Sequence, residues 1–83
     1  MIIETDEVKE LFDRMERAAN RYGNFTSTHE ALGVAYEEWI EFAHAVHSND
    51  FKAIRHEALD LAAVLLRFAG MYSDHTMKAR SGK

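Results

Sequence analysis

The stretch THEALGVAYEEWIEFAHAVH (Thr28–His47), the turn SND (Ser48–Asp50) and FKAIRHEALDLAAVLLRFAGMY (Phe51–Tyr72) decide the fold. Both long runs carry apolar residues at spacings of three and four, which is the signature of an α-helix rather than a strand. Connections this short usually join antiparallel neighbours, so the two helices are expected to form a hairpin. Asn49 and Asp50 suit a tight turn and a new helix cap.

Working outward, Gly23-Asn24 breaks the chain ahead of the hairpin, and Phe25-Thr26-Ser27-Thr28 supplies cap candidates for its first helix. A further helix is predicted from Asp6 to Tyr22, capped by Thr5 or Asp6, with Val8, Leu11, Phe12, Met15 and Ala19 as its apolar stripe. Residues 73–83 read as a frayed polar tail. The expected fold is all-α: one domain over 1–83, made of an N-terminal helix and a helical hairpin.

Composition narrows the class. The chain has 83 residues, no cysteine and no proline, and a formal net charge of −4. Without cysteine there is no disulfide, zinc-thiolate site or cysteine nucleophile. The start Met1-Ile2-Ile3-Glu4 lacks the basic and apolar regions of a signal peptide, and no run reaches membrane-spanning length, so a cytoplasmic location is expected. The negative charge argues against nonspecific nucleic-acid binding, although Lys78, Arg80 and Lys83 make the tail locally basic. A chain this short has a marginal core, which oligomerisation would supplement.

Two acidic pairs stand inside the apolar hairpin: Glu38 with Glu41, and Glu57 with Asp60. Residues three apart on a helix share a face, so each pair points both carboxylates one way. On the first hairpin helix Leu32, Ala35, Trp39, Ala43 and Val46 form the main apolar stripe. Glu38 and Glu41 fall on its flank, beside Val34, Phe42 and Ala45. The second helix is apolar on most of its circumference and is expected to be covered on several sides. No lysine lies between Glu30 and Phe51 to pair with the acids. Carboxylates converging from two helices repel unless a cation sits among them, and an oxygen-only donor set suits Mg²⁺, with Mn²⁺ as a substitute.

Glu37-Glu38-Trp39-Ile40-Glu41, fifteen intervening residues and Glu57-Ala58-Leu59-Asp60 resemble the EExxE…ExxD signature of the MazG-like, all-α nucleoside triphosphate pyrophosphohydrolases. The lead-in from Tyr22 to Glu30 and the run from Ala62 to Phe68 are similar too, so the resemblance covers roughly Tyr22 to Phe68. It implies a helical bundle that assembles as a homodimer or dimer of dimers. It implies Mg²⁺-dependent hydrolysis of NTPs or dNTPs to the monophosphate and pyrophosphate, with no nucleic-acid or membrane partner. By the same resemblance Glu38, Glu41, Glu57 and Asp60 are metal ligands, and Glu37 and Glu38 are the catalytic candidates. Glu37 would orient or deprotonate the attacking water or act as an outer ligand. Many relatives continue into another helix where this chain stops, and a second subunit is expected to supply that cover.

Other residues carry paired readings. Arg67, two turns beyond Asp60, either binds a phosphate or pairs with an acid. His29 either contacts substrate or caps the helix. Trp39, Tyr22 and Phe25 either stack on a base or pack in the core. Glu41-x-x-His44 matches half of a carboxylate-bridged di-iron motif, but Glu57 is followed by Asp60 rather than by a second histidine at that spacing. A helical interaction module that keeps the acids without catalysis is the remaining alternative.

Overall fold

The computed structural model describes residues 5–72; the tail expected over 73–83, with its basic residues, lies outside them. Three helices are present, α1 (Asp6–Tyr22), α2 (Thr28–His47) and α3 (Phe51–Gly70), and no strand occurs among the described residues. The fold is all-α. The third helix ends at Gly70 rather than Tyr72, where Met71 and Tyr72 close a turn onto the carbonyls of Phe68 and Ala69. No helix among the described residues is long and apolar enough to cross a membrane.

Each helix start is fixed by a side chain that accepts a hydrogen bond from an amide the helix leaves unpaired. Thr5 Oγ1 accepts from the Val8 amide at 3.2 Å, Ser27 Oγ from Glu30 at 3.0 Å, and Asp50 Oδ1 from Ala53 at 3.1 Å. Glu30 reaches back to accept from the Thr26 amide at 2.7 Å, a reciprocal arrangement close to a capping box. Gly23 ends α1 at φ 74°, a left-handed backbone that a side chain would strain. Asn49 takes φ 55° in the α2–α3 turn, a conformation asparagine tolerates better than most residues.

α3 is the central element: it packs against α2 on one side and α1 on the other, while α1 barely meets α2. Cross-links between α1 and α3 ascend together, from Glu7 and Glu10 with Arg55, through Arg14 with Asp60, to the Gly23 carbonyl with Arg67. The two helices therefore run parallel, and the chain goes up, down and up. The buried core is small: Ala31, Ala35, Ala45, Leu59, Ala63 and Val64.

That core corrects the expected helix faces. On α2, Leu32, Trp39 and Val46 were expected to be covered, yet all three are exposed, along with Tyr36 and Ile40. Ala35 of the expected stripe is buried and Ala43 half-buried, but the rest of the packed face is Ala31 and Ala45, flanked by half-buried Val34, Glu38 and Phe42. At about 100° per residue, this is roughly a quarter turn from the predicted stripe. Small side chains let two backbones approach closely, and here that outweighs the larger transfer energy of Leu and Trp. On α1, Val8, Leu11 and Met15 are half-buried as expected, whereas Phe12 and Ala19 face outward.

Candidate functional site

The alanine seam between α2 and α3 carries the acids. Glu38 lies between Ala35 and Ala45 on the packed face of α2, so its side chain enters the seam instead of skirting it. Glu41 follows one turn later, and Glu57 answers from α3. Glu38, Glu41 and Glu57 each offer a carboxylate oxygen within 4.8 Å of the others. Glu38 Oε2 and Glu57 Oε1 are buried without a hydrogen-bond partner. Burial, followed by the charges of Glu41, Asp60, Glu57 and Glu37, pushes the Glu38 carboxyl up to about 7. Burial and then the Glu41 charge push Glu57 upward as well. Buried acceptors of this kind are normally satisfied, so these two oxygens need a proton or a cation.

Asp60 is differently placed. Arg14 of α1 donates to its Oδ1 at 2.5 Å, and His56 Nε2 stands 3.3 Å from its Oδ2. Arg14 also donates to the His56 carbonyl at 3.3 Å and approaches His56 Nδ1 at 3.1 Å. His56, Glu57 and Asp60 form a second group whose ligand atoms lie within 4.8 Å. Of the four acids expected to converge, Glu38, Glu41 and Glu57 meet at the α2–α3 seam with no ion-pair partner among the described residues, while Asp60 groups with Glu57 and His56 and is engaged by Arg14 of α1. The acids of α2 have no ion-pair partner among the described residues, as expected from the absence of lysine there. The partner of Asp60 comes from α1.

The donor set can be tested against a cation. It is oxygen-only at Glu38, Glu41 and Glu57, with two orphaned oxygens, which fits a hard divalent ion such as Mg²⁺. His44 is exposed and belongs to neither of these ligand groups among the described residues.

The other expected residues are spread around this centre. Glu37 is exposed and outside both ligand groups. Arg67 has no acid partner among the described residues: it donates to the Gly23 carbonyl at 2.6 Å and lies over the Phe25 ring at 4.6 Å. His29 is exposed in the first turn of α2, where Ser27 and Glu30 do the capping. The Trp39 ring tilts against Phe42 at 5.7 Å and is half exposed, on the face turned away from the packed seam. Tyr22 is exposed, with the Arg21 guanidinium 5.3 Å from its ring. Phe25 packs edge-on against Phe68 at 6.4 Å.

A cavity of about 970 Å³ opens between α1 and the hairpin, lined by Arg14, Arg17, Arg21 and Arg67 together with Glu38, His56 and Asp60. The α1 arginines and His56 are the participants that sequence reasoning missed. A signal for them exists: Glu7, Glu10, Arg14, Arg17 and Arg21 recur at alternating spacings of three and four, drawing one charged stripe along α1. No protein-family model matches the chain, and no curated protein or solved structure is significantly similar to it.

Proposed function

We propose that this chain is a MazG-like, Mg²⁺-dependent pyrophosphohydrolase that cleaves nucleoside or deoxynucleoside triphosphates to the monophosphate and pyrophosphate. The observation that carries the reading is the meeting of Glu38, Glu41 and Glu57 on one seam, with two buried oxygens left unpaired. On this geometry those three glutamates would hold the ion, and Asp60, named by the resemblance as a fourth ligand, would share itself with Arg14 and His56. Bound Mg²⁺ supplies positive charge to the triphosphate and lowers the pKa of an attacking water. Glu38 must give up its proton to act as a ligand. Glu37, exposed beside it, is free to orient the water or take its proton. Catalysis then rests on positioning and electrostatics, since the acids carry the site without a covalent nucleophile. The test is a screen of the common NTPs and dNTPs with Mg²⁺, reading pyrophosphate against orthophosphate. Pyrophosphate release that is lost in Glu41→Gln is the expected result. Absence of any Mg²⁺-dependent turnover leaves the non-catalytic helical module as the better account.

We further propose that the active form is a homodimer or dimer of dimers in which two hairpins complete a four-helix core. Leu65 and Leu66 of α3 are exposed beside half-buried Ala62, and Leu32, Tyr36 and Trp39 of α2 are exposed as well. Leu59 is buried inside the subunit and takes no part in that strip. Covering a leucine side chain is worth about 1.5–3 kcal/mol, so several from each chain can offset the entropy of association. Light scattering at micromolar concentration checks this. Leu66→Glu should dissociate the assembly, and an active wild-type monomer of 9.5 kDa would overturn it.

A further inference from the structure

We propose that Arg17 and Arg21 of α1 form the seat for the triphosphate arm of a metal-bound nucleotide, an inference that rests on the hydrolase reading above. The cavity beside the carboxylates contains four guanidinium groups. Two are committed: Arg14 to Asp60 and His56, and Arg67 to the Gly23 carbonyl and the Phe25 ring. Arg17 and Arg21 make no hydrogen bond or ion pair among the described residues. Arg21 offers only the face of its guanidinium, to Tyr22, which leaves its N–H donors free.

The two are four residues apart, so they stand one turn from each other on the same side of α1. Like charges at that spacing repel, and an anion between them removes the repulsion. The planar fork of arginine matches phosphate oxygens in pairs, and two forks one turn apart suit a short polyphosphate.

The opposite wall of the same cavity selects the ligand class. Glu38 and Asp60 line it. An anion alone meets those carboxylates, and a divalent cation alone meets the arginines. A cation carrying a polyphosphate satisfies both walls at once. An acidic peptide brings no such cation. A nucleic acid meets a concave cavity on a chain of net charge −4.

The probe is inorganic tripolyphosphate, titrated calorimetrically into the full chain with and without Mg²⁺. The wild type should bind it more tightly when Mg²⁺ is present. Replacing both arginines, Arg17→Gln with Arg21→Gln, should weaken binding about 10- to 100-fold, as expected for losing charge-assisted contacts. Mn²⁺ binding at the carboxylates, read by electron paramagnetic resonance, should stay unchanged in that variant. Both arginines are exposed, so the fold should survive, and the double Arg→Lys variant should recover part of the affinity because it keeps the charge but not the fork. Wild-type affinity in the double glutamine variant, or no tripolyphosphate binding by the wild type, would overturn the proposal. The two readings fail separately. Tripolyphosphate binding that depends on the arginines in a protein that cleaves no nucleotide keeps the seat and removes the hydrolase. Nucleotide cleavage with arginine-independent binding does the reverse.

Discussion

The two seams along α3 hold similar numbers of acids and treat them in opposite ways. Against α1, carboxylates meet guanidiniums: Glu7 and Glu10 face Arg55, and Asp60 faces Arg14. Against α2, alanines line the contact around Glu38, Glu41 and Glu57, none of which is in an ion pair among the described residues. The titration behaviour divides along the same line. Hydrogen bonds from Arg55 hold Glu7 and Glu10 below the usual carboxylate range, whereas burial pushes Glu38 and Glu57 above it. An acid is structural where the opposing helix supplies its counter-charge. It becomes a candidate for chemistry where the seam buries it and supplies none.

Amide substitutions break this comparison most directly, because they remove charge and keep shape. Glu57→Gln should reduce nucleotide turnover by roughly 100-fold or more, the scale of losing one preorganised electrostatic group. The same change should leave the thermal midpoint of the metal-free protein equal or higher, since it relieves repulsion at a buried oxygen. Asp60→Asn should behave in the opposite sense for stability. The Arg14 side chain is only 14% exposed and would keep its hydrogen bond to the His56 carbonyl but lose the carboxylate charge opposite it, at a cost of about 1–3 kcal/mol. Thermal unfolding of the two variants side by side checks the distinction. If Glu57→Gln unfolds and Asp60→Asn does not, the assignment of structural and functional acids is reversed.

Much of this was legible in the sequence, and the gaps have a common cause. Helix positions followed from local chemistry: Thr5, Ser27 and Asp50 cap where their spacing to the apolar runs places them. The approach of Glu57 to Glu38 and Glu41 followed from helical phase and the short turn at Asn49, whereas Asp60 falls in a separate group with His56. What failed was the choice of face on α2. Counting apolarity favours Leu32, Ala35, Trp39 and Val46, of which only Ala35 is buried; Ala31 and Ala45 complete the packed face, and only the tertiary partner decides between the two sets. The correction strengthens the site, since Glu38 moves from the flank of the stripe into the packed seam. The Arg14–Asp60 pair joins positions 46 apart, which no local pattern encodes. Arg67 donates to the Gly23 carbonyl and lies over the Phe25 ring, contacts to a loop 44 positions away that helical phase on α3 does not reveal.

The smallest expected effect sharpens the comparison through pH. In the folded, metal-free chain Glu38 is raised from its ordinary 4.5 to about 7. Between those values the folded state holds more protons than the unfolded chain, so Glu38 makes stability fall as pH rises through that window. Glu57 is raised too and acts in the same direction. Glu7 and Glu10 are lowered, so their contribution is fully present above their ordinary value and is lost as pH falls below it. The thermal midpoint of chelator-treated protein should therefore peak near pH 5, between the two ranges, and decline toward neutrality. Solvent access to the Glu38 side chain keeps that decline shallow. Glu38→Gln should flatten the neutral side of the curve and leave the acid side alone, while Arg55→Ala should do the converse. A midpoint that rises from pH 5 to neutrality in the metal-free wild type would mean that the α2 seam holds its acids charged, with a counter-charge of its own.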